Sequence, residues 1–113
     1  FAISSNKIEI LDENIFNFVN NINRFSIQKN IIKKIEKKAF SNFQLIRVIN
    51  LLENNIEDLE PGLFSNMISL SNLELGYNEI RVLRKNTFMN LTKLSYLSLE
   101  YNKIYFIEPG TFD

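Results

Sequence analysis

The side chains with the widest chemical range in this 113-residue chain are three carboxylates, Glu53, Glu74 and Glu100, and three phenols, Tyr77, Tyr96 and Tyr101. Carboxylates brought onto neighbouring strands can act as an acid–base pair or supply oxygens to a cation. Calcium takes roughly six to eight oxygens, more than this set offers. Acid–base catalysis needs an enclosed site that tunes proton affinity, and a shallow exposed pair lacks one. Cysteine and histidine are both absent, which removes thiol and imidazole nucleophiles, the usual zinc ligands and internal disulfides together. The chain therefore reads as non-enzymatic, with no cofactor and no metal. Tyrosines beside carboxylates suit recognition instead, because a phenol joins a broad apolar ring to a polar tip. In the plainer alternative the tyrosines shield a turn and the glutamates are merely solvated.

Two other features carry chemistry. Asn90-Leu91-Thr92 is the one N-x-[ST] sequon, a glycan acceptor if the chain passes through a secretory pathway. Lys29, Lys33, Lys34, Lys37 and Lys38 form a basic cluster around Glu36. They could meet a polyanion, although without interleaved aromatics a solvated outer face accounts for them. The formal charge is zero, split as +3 over residues 1–56 and −3 over 57–113, too modest for a nucleic-acid footprint.

The elements that must position these residues come from a period of 24 residues. Asn6, Asn30, Asn54, Asn78 and Asn102 fall in one column, and the apolar residues recur in phase with them. With units starting at Ile22, Ile46, Leu70 and Leu94, position 4 is Phe25, Ile49, Leu73 and Leu97. Position 6 is Ile3, Ile27, Leu51, Leu75 and Leu99, and position 19 is Phe16, Phe40, Phe64, Phe88 and Phe112. This is the L-x-x-L-x-L-x-x-N-x-L pattern of a leucine-rich repeat. Alternation at positions 4 and 6 predicts a short strand per unit with positions 3, 5 and 7 outward, and stacked units make one parallel sheet. The position-9 asparagine, with two donors and an acceptor, is suited to satisfy the turn backbone as a structural ladder.

The expected fold is an α/β repeat solenoid: a leucine-rich repeat horseshoe with a parallel sheet on the concave face and irregular or short helical convex segments. Residues 1–113 should hold five units, the first and last incomplete, as the internal part of a longer solenoid whose flanking repeats or caps cover the cut ends. No run of about 18 apolar residues is present to insert in a membrane, and no signal peptide is visible.

The unit length, the position-19 phenylalanines and the strings FSNMISLSNLELGYNEI and FMNLTKLSYLSLEYNKI resemble the typical animal extracellular class of leucine-rich repeat proteins. Toll-type receptor ectodomains, matrix and axon-guidance proteins and insect immune repeat proteins belong to that class. The resemblance covers the whole chain and implies a binding module, extracellular or at the cell surface, of receptor, adhesion or innate-immune type. Two departures stand out: cysteine-rich caps are missing, and Ile and Phe replace Leu in the first two units. A protein partner is expected on the concave face at Tyr77, Tyr96, Tyr101, Glu53, Glu74 and Glu100. The rivals are a structural tile or spacer in a larger assembly and an intracellular regulatory scaffold domain.

Overall fold

In the computed structural model residues 2, 7–16 and 22–112 are described. Eight short strands follow in chain order: β1 (Ile10–Leu11), β2 (Arg24–Ser26), β3 (Lys34–Ile35), β4 (Val48–Asn50), β5 (Asn72–Glu74), β6 (Val82–Leu83), β7 (Tyr96–Ser98) and β8 (Phe106–Ile107). One parallel sheet runs β2-β4-β5-β7. Its register advances by one repeat per strand, pairing Phe25 with Ile49, Ile49 with Leu73 and Leu73 with Leu97. Ala2 bridges to Ser26 in the same parallel sense. The chain is thus a parallel-strand solenoid, because each unit buries its apolar side only against its neighbours.

The return segments are irregular. No helix occurs among the described residues, so of the two forms expected for the convex side the irregular one is found. Short parallel pairs, β1 with β3 and β6 with β8, take the place of helical turns. Two-residue strands suffice there because positions 13 and 14 alternate outward and inward, as Lys34 and Ile35 do.

Inside, Phe25, Ile27, Ile49, Leu51, Leu73 and Leu75 are fully buried. Phe16, Phe40, Phe64, Phe88 and Phe112 stack one on the next, with ring centroids 5.8–6.3 Å apart. A further buried column, Phe43 and Met67, faces this stack, and Phe43 lies 5.5 Å from Phe40. Phe25 and Phe43, 5.2 Å apart, fill the space at the larger first units.

The asparagine column ties unit to unit. Asn54 donates through Nδ2 to the carbonyls of Ile27 (2.8 Å), Leu51 (3.1 Å) and Leu52 (3.2 Å), and its Oδ1 accepts from the Ile32 N–H (3.2 Å). Asn78 repeats this with Leu51, Leu75, Gly76 and the Ile56 N–H. Asn102 does so with Leu75, Leu99, Glu100 and the Ile80 N–H. Asn30 donates to Gln28 O and accepts from Ile8 N–H. Asn30, Asn54 and Asn78 are buried, while Asn102 is half-buried. Asn6 lies outside the described residues.

Candidate functional site on the open sheet

Each strand leaves the sheet through a residue in the left-handed region: Lys29, Glu53, Tyr77 and Tyr101 have φ of 57, 58, 56 and 56°. A side chain there costs about 1–2 kcal/mol relative to ordinary backbone. The first three turns are held because their N–H groups donate to the following unit: Lys29 to Leu52 O, Glu53 to Gly76 O and Tyr77 to Glu100 O. Nothing in the residue types Lys, Glu, Tyr and Tyr signals this conformation. A glycine or asparagine in the column would have.

This turn column places Lys29, Glu53, Tyr77 and Tyr101 in one row along the rim of the sheet. The rings of Tyr77 and Tyr101 stack with centroids 4.5 Å apart and an interplanar angle of 18°. Both remain open to solvent, at 49% and 72% of their full exposure. Glu100, one residue before Tyr101, lies over Gly76. A Cβ at position 76 would come within 2.6 Å of Glu100 Oε1 and 3.1 Å of Leu52 Cδ2, so the absence of a side chain makes room for the carboxylate. Partial burial, then the charges of Tyr101, Glu100 and Glu53, raise the Tyr77 phenol above its ordinary range. Glu53 and Glu100 thus lie close enough to act on the Tyr77 phenol.

Glu74 and Tyr96 occupy the strands beside this rim. Glu74 on β5 is in register with Ser98 on β7, and Asn72 with Tyr96. Tyr96 is half exposed and sits at the start of β7, at the other end of that strand from the Tyr77–Tyr101 stack. Ser98 belongs to the column that reads as solvent-facing, yet it is only 5% exposed and its Oγ has no hydrogen-bond partner. No sequence signal marks it, since its burial depends on how the larger neighbouring side chains lie.

The other charges are arranged differently. Arg81–Glu57 (3.2 Å), Arg84–Asp58 (2.6 Å) and Lys103–Glu79 (2.6 Å) pair successive units on the return side. Among the described residues no ion pair involves Glu53, Glu74 or Glu100. Lys29, Lys33, Lys34, Lys37 and Lys38 are all exposed. Lys33 shares a groove with Glu57, Glu79, Arg81 and Lys103, where the signs are mixed. Asn90 and Thr92 are exposed, and Asn90 has φ 66°. No group of three or more metal-ligating side chains occurs among the described residues, and no helix there is long and apolar enough to cross a membrane.

With this geometry the sequence matches the leucine rich repeat family over residues 20–80 and 68–113, and the chain belongs to that family. The leucine-rich repeat domain of APL1B is similar, with 29% identity and a TM-score of 0.82 over 85% of this chain and 28% of that one. A chain of the Toll–Spatzle complex, described as a molecular hub in Drosophila development and innate immunity, gives 22% identity and a TM-score of 0.89, covering 94% of this chain and 14% of its own. A chain of the TLR13–ssRNA13 complex gives 21% and 0.80, with 97% and 18% covered. The chain thus spans less than a third of each of these structures. A search of curated proteins by sequence found no significant match.

Proposed function

We propose that this chain is part of an extracellular or cell-surface recognition module of receptor, adhesion or innate-immune type. In a longer solenoid, its turns would offer the concave face to a protein partner. Tyr77, Tyr96 and Tyr101, with Glu53, Glu74 and Glu100, form the contact surface. The observation that carries this assignment is the exposed Tyr77–Tyr101 stack at the rim, since rings with a polar tip suit an interface. Structural likeness to chains solved in the Toll–Spatzle complex adds support for a protein ligand. A nucleic acid fits poorly, because the rim is acidic and polyanion binding rests on phosphate neutralisation.

A partner selected from a displayed library of the source organism's extracellular proteins provides the test. Against the Tyr77→Ala/Tyr101→Ala double variant its affinity should fall at least about tenfold, in line with aromatic hot spots. Lys34→Glu/Lys38→Glu should change it little. The opposite ranking would place the contact on the basic outer face and overturn the assignment.

A further inference from the structure

Each unit re-enters its strand through a hydrogen-bonded turn, in which the N–H groups of Ile46, Leu70 and Leu94 donate to the carbonyls of Phe43, Met67 and Leu91. The end residues of these turns lie in the core or pack against it. The two middle residues are left on the outside, as Gln44-Leu45, Ile68-Ser69 and Thr92-Lys93. Leu45 is 57% exposed and Ile68 61%. The turn requires an aliphatic at neither place, because Ser69 and Lys93 stand in the column of Leu45, and Gln44 and Thr92 in that of Ile68. Ile68 stays exposed with a turn stacked on either side of it, so its exposure belongs to the solenoid itself. One exposed aliphatic is ordinary on a protein surface. Two on successive turns, where packing asks for none, mark a surface that gains by being covered.

The charge on this edge has one sign. Residues 41–47, 65–71 and 89–95, which carry each turn into its strand, include Arg47 and Lys93 and no carboxylate. The two cations line one open cleft with Ser69 and Ser71. Among the described residues neither has an ion-pair partner, whereas Arg81, Arg84 and Lys103 on the return side each have one. We infer that this edge docks an extended acidic segment of a partner protein, with an apolar side chain between two carboxylates. Along the stack Arg47 and Lys93 lie two strand spacings apart, roughly 10 Å, and the Ile68 turn falls between them. Alternate side chains of an extended segment share one face, so an acid–apolar–acid series meets cation, aliphatic and cation in turn. A sulfated sugar would meet the cations and leave Leu45 and Ile68 uncovered. The Tyr77–Tyr101 rim lies at the opposite end of the strands, so the two surfaces can be engaged at once.

The probe is a synthetic peptide with Glu-Gly-Leu-Gly-Glu at its centre, titrated into the isotope-labelled full chain and followed by amide chemical shifts. The shifts should map to residues 43–47, 67–71 and 91–95, and affinity should fall as salt rises. Peptides with Gln for Glu, or with Gly for Leu, should each bind at least about fivefold more weakly. One with Lys for Glu should cause no shifts. Leu45→Ser/Ile68→Gln copies residues that the same turn columns already hold; it should keep the melting temperature and weaken binding at least about fivefold. Arg47→Gln/Lys93→Gln should weaken it as much, whereas Lys34→Gln/Lys38→Gln should leave it unchanged. Equal binding of the Glu and Lys peptides, or indifference to either edge variant, overturns the inference. A fall in melting temperature for Leu45→Ser/Ile68→Gln also overturns it, since the aliphatics would then be structural. So does a heparin oligosaccharide that binds at the same residues more tightly than the peptide and is unaffected by that variant, which makes the edge a polyanion site. A dimer in sedimentation that the same variant dissociates would give the edge to a second copy instead.

Discussion

Replacing Asn78 by alanine tests whether the ladder holds the solenoid together. Asn78 is 4% exposed and donates to three carbonyls, Leu51, Leu75 and Gly76, at 3.0–3.1 Å. Each of those oxygens keeps a second donor: Asn54 for Leu51, Asn102 for Leu75 and the Glu53 N–H for Gly76. The Ile56 N–H has no such reserve, because its bond at 3.1 Å goes to Asn78 Oδ1. The loss is therefore one orphaned buried donor, worth about 1–3 kcal/mol, plus weakened bonds at carbonyls that stay partly satisfied. A total of about 3 kcal/mol follows, or roughly 10 °C in melting temperature for a domain of this size. Asn72→Ala removes only the acceptor of a half-buried bond from Ser71 Oγ, and should cost no more than about 0.5 kcal/mol. Asn78→Asp is the sharper variant, since a carboxylate would face three carbonyl oxygens. It should be less stable than Asn78→Ala at neutral pH and recover as acid protonates it into a donor. Thermal melts followed by circular dichroism decide the matter. Equal melting temperatures for Asn78→Ala and Asn72→Ala would refute the ladder's role.

Gly76→Ala should cost about 1–3 kcal/mol through the contacts with Glu100 and Leu52, and part of that cost should vanish in a Glu100→Ala background; additive melting shifts in the double-mutant cycle would show that the two do not touch. Ultraviolet titration should reveal a phenol ionising above the ordinary value of about 10 that disappears in Tyr77→Phe. Because the folded chain holds that proton longer than the unfolded one, this group's contribution to stability is intact below the unfolded value and is lost as pH rises through the folded one. Expression through a eukaryotic secretory pathway should add one glycan at Asn90, seen as a mass increase that Thr92→Ala abolishes; an unshifted mass would show that the left-handed turn at Asn90 is not accepted.

The inward columns were legible because burial imposes a period: Phe25 and Ile49 must face the core wherever the unit repeats, and β2 and β4 are in register by the same 24-residue step. The turn bonds of Asn54 and Asn78 follow from the same regularity. The Phe43 and Met67 column was not singled out, since two different apolar types at one position look like loop content until they are seen packed against Phe40 and its neighbours. For the rim the sequence supplied only residue types. That Tyr77 and Tyr101 stack, that Glu100 folds over Gly76 and that Ser98 is covered all depend on side-chain conformations spanning two units, which no single-column pattern encodes. Among the described residues no convex helix forms, because two-residue parallel pairs such as Val82–Leu83 with Phe106–Ile107 complete the backbone bonding between turns.

The asparagine bonds have a direction. Each Oδ1 accepts from a backbone N–H of the preceding unit, as Asn54 does from Ile32, Asn78 from Ile56 and Asn102 from Ile80. A unit therefore carries a donor that only its successor's asparagine answers, and the successor in turn carries backbone donors answered only by its predecessor, as Asn55 N–H is by Ile32 O and Glu79 N–H by Ile56 O. On a ribosome the chain emerges in that same order, so every newly made turn would seal the one made just before it. Removing turns from the C-terminal side would strand the N–H that an asparagine answers, and removing them from the N-terminal side would strand main-chain donors such as Arg47 N–H and Asn55 N–H together with an asparagine oxygen. The side-chain ladder is thus vectorial, each asparagine reaching back to the turn made before it, while the backbone bonds between turns run both ways.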